Sequence, residues 1–113
     1  MKLVSFDAMC SLDIPNVRAV KPENWFREKA TVQAADWILF PEYWQVNALH
    51  YALKKRIFPS IATYHLGHDK VEMIRAFEAV APAHTPFTRL LPNTPVGVEQ
   101  ILDEFTPPFV AKE

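Results

Sequence analysis

The sequence predicts an α/β protein, an open parallel sheet with helices on both faces and Rossmann-like in outline. Three observations carry this expectation. Short apolar runs alternate with segments of helical period, the ten prolines gather at the ends of those segments, and no repeat or low-complexity tract interrupts them. Half of the 113 residues are hydrophobic and 22% are charged, so the chain can bury a core and is too apolar for disorder.

The elements follow in order. Leu3 to Phe6 is a short apolar run closed by Asp7, and Trp37 to Phe40 is a second, stopped by Pro41; both read as buried parallel strands. Between them, Pro22 followed by Glu23, Asn24 and Trp25 suits a helix start, because proline fits the first turn and early acids favour the helix dipole. Trp44 to Arg56 places Val46, Leu49 and Leu53 on one helical face and ends in Lys54, Lys55 and Arg56, cations suited to a helix C-terminus. A third strand is expected within Ile57 to Tyr64, with Pro59 near its start. Asp69 can cap a helix that sets Met73, Ala76, Phe77 and Val80 on one stripe. Val98, Ile101, Leu102 and Phe105 repeat that spacing after Thr94-Pro95 and before Pro107-Pro108. Two more strands are expected at Phe87 to Leu91 and Phe109 to Lys112. Right-handed crossovers would join these elements into one parallel sheet. The expected organisation is an α/β unit over residues 1–67, then a proline-rich connection and the start of a further lobe over residues 68–113.

Composition excludes several functions. Twelve basic and thirteen acidic residues give a net charge of −1, which offers no general basic face for nucleic acid or an anionic membrane. Gly67 and Gly97 are the only glycines, so neither a G-x-G-x-x-G loop nor a G-x-x-x-x-G-K loop can form. Cys10 is alone and closes no internal disulfide. The N-terminus breaks its apolar run at Asp7 and Asp13, unlike a secretory signal, and no apolar stretch approaches the length of a spanning helix. A cytoplasmic location is the expectation.

Ligands of open parallel sheets bind beyond the carboxyl ends of the strands. The polar residues there are Asp7, Glu42 with Tyr43, and Tyr64 with His65; of these, Asp7, Glu42, Tyr43 and His65 are the candidates for substrate contact, although strand ends are also polar wherever they meet water. Lys70 opens a helix and Lys112 lies in an apolar run. At the level of the residues two readings of Lys112 stand: its ammonium reaches water on the outward side of a strand, or it meets an anion. His65 and His68 lack further ligands for a metal. His50 reads as a packing residue and His84 as a loop residue. Cys10 has no base nearby in sequence, and Trp25, Trp37 and Trp44 read as core or core-edge residues.

The succession Gly67-His68-Asp69-Lys70, a helix, Thr85-Pro86-Phe87-Thr88, a second helix and Pro108-Phe109-Val110-Ala111-Lys112 resembles the opening of the ATP-grasp carboxylate–amine ligases. The likeness is most specific from Asp69 onward and architectural before it. It implies a small pre-ATP-grasp α/β domain leading into the first elements of an ATP-grasp lobe. It also implies contacts from Lys70 and Lys112 to ATP phosphates, and, in the full-length protein, ATP and magnesium acting on a small carboxylate. The implied chemistry is an acyl phosphate displaced by an amine or a thiol. Many members have proline after the strand lysine, whereas Glu113 stands here. The glycine-rich loop, the adenine hinge and the magnesium ligands of the family do not occur within the 113 residues, so the chain reads as the N-terminal portion of a longer ligase, inactive by itself. Self-association through a strand at 109–113 is a further expectation. The alternative is a stand-alone small α/β ligand-binding or regulatory domain. A phosphoacceptor receiver domain ranks behind both, because the acidic companions of Asp7 are missing.

Overall fold

The computed structural model describes residues 1–112. Four short strands, β1 (Leu3–Ser5), β2 (Val17–Ala19), β3 (Trp37–Leu39) and β4 (Arg56–Phe58), form one parallel sheet in the order β2-β1-β3-β4. Helix α1 (Lys29–Ala34) precedes β3, after a 3-10 turn at Pro22–Asn24. Helix α2 (Tyr43–Asn47) runs into a π-helical segment, Ala48–Ala52, before β4. Beyond the sheet lie α3 (Ile61–His68), α4 (Lys70–Val80), a 3-10 turn at Pro82–His84 and α5 (Pro95–Glu104). No helix among the described residues is long and apolar enough to cross a membrane.

Strand register decides where the core sits. Val4 lies beside Ile38, and Ile38 beside Ile57, so the three point to the same face. There they join Phe6, Val32, Ala35, Val46 and Leu49 in one buried cluster. Ile38, Val46 and Leu49 are fully buried, and each such side chain contributes roughly 1.5–3 kcal/mol relative to exposure. The other face is thinner. Leu3 and Trp37 are half-buried and Phe58 is 53% exposed.

Helices therefore cover one face well and not both, which corrects the doubly covered sheet expected from the sequence. The steps from β2 to β3 and from β3 to β4 move the same way across the sheet, so right-handed connections put α1 and α2 on one side. The step from β1 to β2 moves the opposite way, and its connection is a run of turns with no helix.

Other differences from the expectation have local causes. The run from Ile57 to Tyr64 splits: its first residues complete β4, then Ser60 accepts a hydrogen bond from the Thr63 amide and starts α3. Residues Val17–Ala19, not expected as a strand, pair with β1 as an edge. Phe87–Leu91 and Phe109–Lys112 form no strands, because neither finds a neighbouring strand to complete its hydrogen bonds. The strand proposed for self-association is thus absent over Phe109–Lys112, and Glu113 lies outside the described residues.

The caps behave as the sequence suggests. The Asp69 carboxylate accepts from the Val71 and Glu72 amides, and Thr94 accepts from the Gly97 amide. Gly97 is also required sterically, since a Cβ there would collide with the Pro92 carbonyl oxygen. The radius of gyration, 19.6 Å, exceeds the roughly 13 Å of a compact chain of this length. The reason is that the chain beyond α3 adds no closed core of its own: α3 packs on the cluster through Ile61 and Tyr64, but after Ile57, Gly97 is the one buried residue among those described.

Candidate functional site

The chain steps outward from β1 to β2 and then returns across β1 to β3, so the order of strands reverses between β1 and β3. Parallel sheets bind ligands in the crevice beyond the carboxyl ends at that point. The ends are tied together there by the Phe6 amide donating to the Leu39 carbonyl at 3.0 Å. Phe40 then adopts φ 49°, a left-handed conformation that costs a bulky residue on the order of 1–3 kcal/mol, and its amide donates to Phe58 O at 2.7 Å.

Asp7 stands at the mouth of this crevice, but its carboxylate is turned into its own loop. Oδ1 accepts from the Cys10 amide at 2.9 Å, and this bond, with a further one from the Cys10 side chain, holds the carboxyl below its ordinary range. The same hydrogen bond to Asp7 pushes the Cys10 thiol up, which disfavours the nucleophilic thiolate. Beneath the loop, the fully buried Ser5 donates from Oγ to Asp7 O at 2.7 Å, and Ser11 Oγ donates to the same carbonyl at 2.7 Å.

On the β3 side, Glu42 is the N-cap of α2, and its amide donates to Gln45 Oε1 at 2.8 Å. Tyr43 and His65, expected at the substrate, help to seam α2 to α3. The Tyr43 ring stacks on His68 with centroids 3.8 Å apart, and His65 Nε2 lies 3.1 Å from Asn47 Oδ1. Tyr64 completes the seam by donating from its hydroxyl to Pro41 O at 2.6 Å. Burial, reinforced by the Glu42 charge, raises the Tyr64 phenol above its ordinary value. The four candidates therefore divide: Asp7 belongs to the β1 loop, while Glu42, Tyr43 and His65 gather around α2 and α3.

Sequence reasoning missed Ser5, at the end of β1, and Gln45, in the first turn of α2, both fully buried. Gln45 Nε2 and the Trp25 indole N–H are buried donors without a hydrogen-bond partner. The one available signal was the Glu42-x-x-Gln45 spacing, which matches a helix-capping pair.

A second feature lies far along the chain from the sheet. A groove of about 1000 Å³ is walled by α5 and by the segments on either side of it. Phe87, Phe105 and Phe109 line it in series, with ring centroids 5.0 and 5.6 Å apart. Lys112 borders the groove from coil, and Val71, the residue after Lys70, borders it from the first turn of α4. Arg89, on the same wall, is committed to Glu104 at 2.6 Å. Lys70 and Lys112 are both exposed and in no ion pair among the described residues. Among the described residues no carboxylate lines the groove, and Lys112 is its one cation outside an ion pair. The described residues hold no cluster of three His, Cys, Asp or Glu side chains suited to a metal ion. Compared with known proteins, the chain matches no family model, and no curated protein or solved structure matches it significantly.

Proposed function

We propose that this chain is the N-terminal part of a cytoplasmic ATP-dependent ligase that joins a small carboxylate to an amine or thiol through an acyl phosphate. The observation that carries the proposal is the groove that brings Val110-Ala111-Lys112 beside the first turn of α4, where Asp69 caps the helix and Lys70 opens it. Lys112 lines the groove itself, and Lys70 is the neighbour of Val71, which lines it from α4. ATP with magnesium would supply the phosphoryl group. Lys70 and Lys112 would neutralise charge on the phosphate oxygens as the terminal phosphoryl leaves. The crevice between β1 and β3, with Asp7 and Glu42 at its rim, is the place for the carboxylate substrate or its amine partner.

The test uses the complete polypeptide of the reading frame. Continuation past Glu113 into a glycine-rich loop, with ADP release that needs a carboxylate and falls at least about a hundredfold in Lys112→Ala, supports the proposal. A stop codon directly after Glu113 overturns it. The second reading, a stand-alone ligand-binding domain, draws on the closed core over Val4–Ile57, which takes Ile61 and Tyr64 of α3 at its margin and nothing from α4 or α5. Tight ATP binding by the 113 residues alone would favour that second reading, because two lysines without a covering loop offer little beyond screened charge.

A further inference from the structure

We infer that a hollow beside the free edge of β4 binds a small phosphate-bearing ligand, at a place separate from the groove assigned to the nucleotide. The hollow has a volume of about 420 Å³. It runs from Trp37 and Arg56, at the amino ends of β3 and β4, to Ser60 and Ile61 at the start of α3, with His50 and Lys54 on its wall.

Its charge is one-sided. Lys54, Lys55 and Arg56 are consecutive, and no carboxylate lines the hollow. A role at helix C-termini accounts for Lys55 alone, whose Nζ donates to Gln33 O at 2.5 Å and to Ala35 O at 2.8 Å, closing the end of α1. Lys54 and Arg56 have no ion-pair partner among the described residues. The Arg56 guanidinium carbon lies 5.8 Å from the centre of the Trp37 ring, a cation–π contact that does not consume its N–H donors.

Three further observations converge on the same hollow. Lys54 has φ 53°, the left-handed conformation that glycine or asparagine usually takes after a helix, so the backbone is strained to keep a lysine there. The His50 Nδ1 is shielded from solvent and has no hydrogen-bond partner. At the far end, Ser60 caps the Thr63 amide, while the Ile61 and Ala62 amides of the first turn of α3 have no intrahelical carbonyl to bond and carry the positive end of the helix dipole. Two free cations, a helix N-terminus and the absence of a competing carboxylate are what a phosphate dianion needs. The size fits a small molecule, and the net charge of −1 leaves no extended basic surface for a polyanion.

Amide NMR titration of the full chain with inorganic phosphate and pyrophosphate, at ionic strength held constant with sodium chloride, tests this. Saturable shifts are expected within residues 50–61, stronger for pyrophosphate. Lys54→Gly and Arg56→Gln are each expected to weaken binding about tenfold. Because glycine relaxes the backbone at this position, Lys54→Gly should keep or raise the melting temperature, so lost binding there is not lost folding. Shifts spread over all lysines and arginines, shifts centred on Lys70 and Lys112, or undiminished binding in the Lys54→Gly/Arg56→Gln double variant would overturn the inference.

Discussion

The sheet and the C-terminal extension are made from similar residues and behave differently. In the sheet, Val4, Ile38, Val46, Leu49 and Ile57 meet in one closed cluster. In the extension, Phe87, Val98 and Leu102 are 63%, 50% and 64% exposed, although α5 has an apolar stripe as regular as that of any core helix. Amphipathic period makes a helix able to pack; whether it packs depends on a facing surface. Parallel strands supply that surface because their register stacks alternate side chains into a continuous sheet face.

The largest expected effect contrasts the two regions directly. Leu49→Ala should cost about 2–5 kcal/mol in urea unfolding, since it leaves a cavity in a closed cluster, whereas Leu102→Ala should cost less than about 0.5 kcal/mol. Comparable losses at both sites would mean that the extension is packed as firmly as the sheet. Next in size, Gly97→Ala drives a methyl into the Pro92 carbonyl and should cost about 1–3 kcal/mol. Hydrogen exchange should show that loss in the amides of α5 and leave those of β1 and β3 protected.

The seam between the regions has a pH signature. Tyr64 has its folded-state pKa raised, so the neutral phenol supports the fold; its contribution is fully present below pH about 10 and is lost as pH rises through the higher folded value. Tyr64→Phe should remove that alkaline loss and cost about 0.5–1.5 kcal/mol at neutral pH for the missing bond to Pro41. Asp7 works with the opposite sign. Its folded-state pKa is lowered, so its contribution is present above about pH 4 and lost as the pH falls through the folded value; Asp7→Asn should flatten the acid limb of a stability curve. The smallest effect is a gain of about 1 kcal/mol in Lys54→Gly, measured by thermal unfolding, from relief of the left-handed backbone.

Much of the fold was legible. Asp69 and Thr94 announced α4 and α5 because capping is a local bond between a side chain and amides two or three residues on. β1 and β3 were legible as apolar runs closed by Asp7 and Pro41. Ile57–Tyr64 misled because a short apolar run serves strand or helix equally, and Ser60 turned it into a helix. Of the site, the strand ends before Asp7 and Glu42 were legible, but Tyr64 and His65, read as closing a strand, lie in α3, and the use of Tyr43 and His65 in a helix seam was not legible, since their partners His68 and Asn47 come from the other helix.

The amino-acid sequence alone determined the alternation of strands and helices, the caps and the absence of glycine-rich phosphate loops, all of which rest on bonds or sterics within a few residues. Only the tertiary structure decided the β2-β1-β3-β4 order, the coil at Phe109–Lys112 and the groove that both Lys112 and Val71 line. Strand identity requires a neighbour to complete the hydrogen bonds, and a site requires residues distant in sequence to face one another. Both depend on the path of the whole chain.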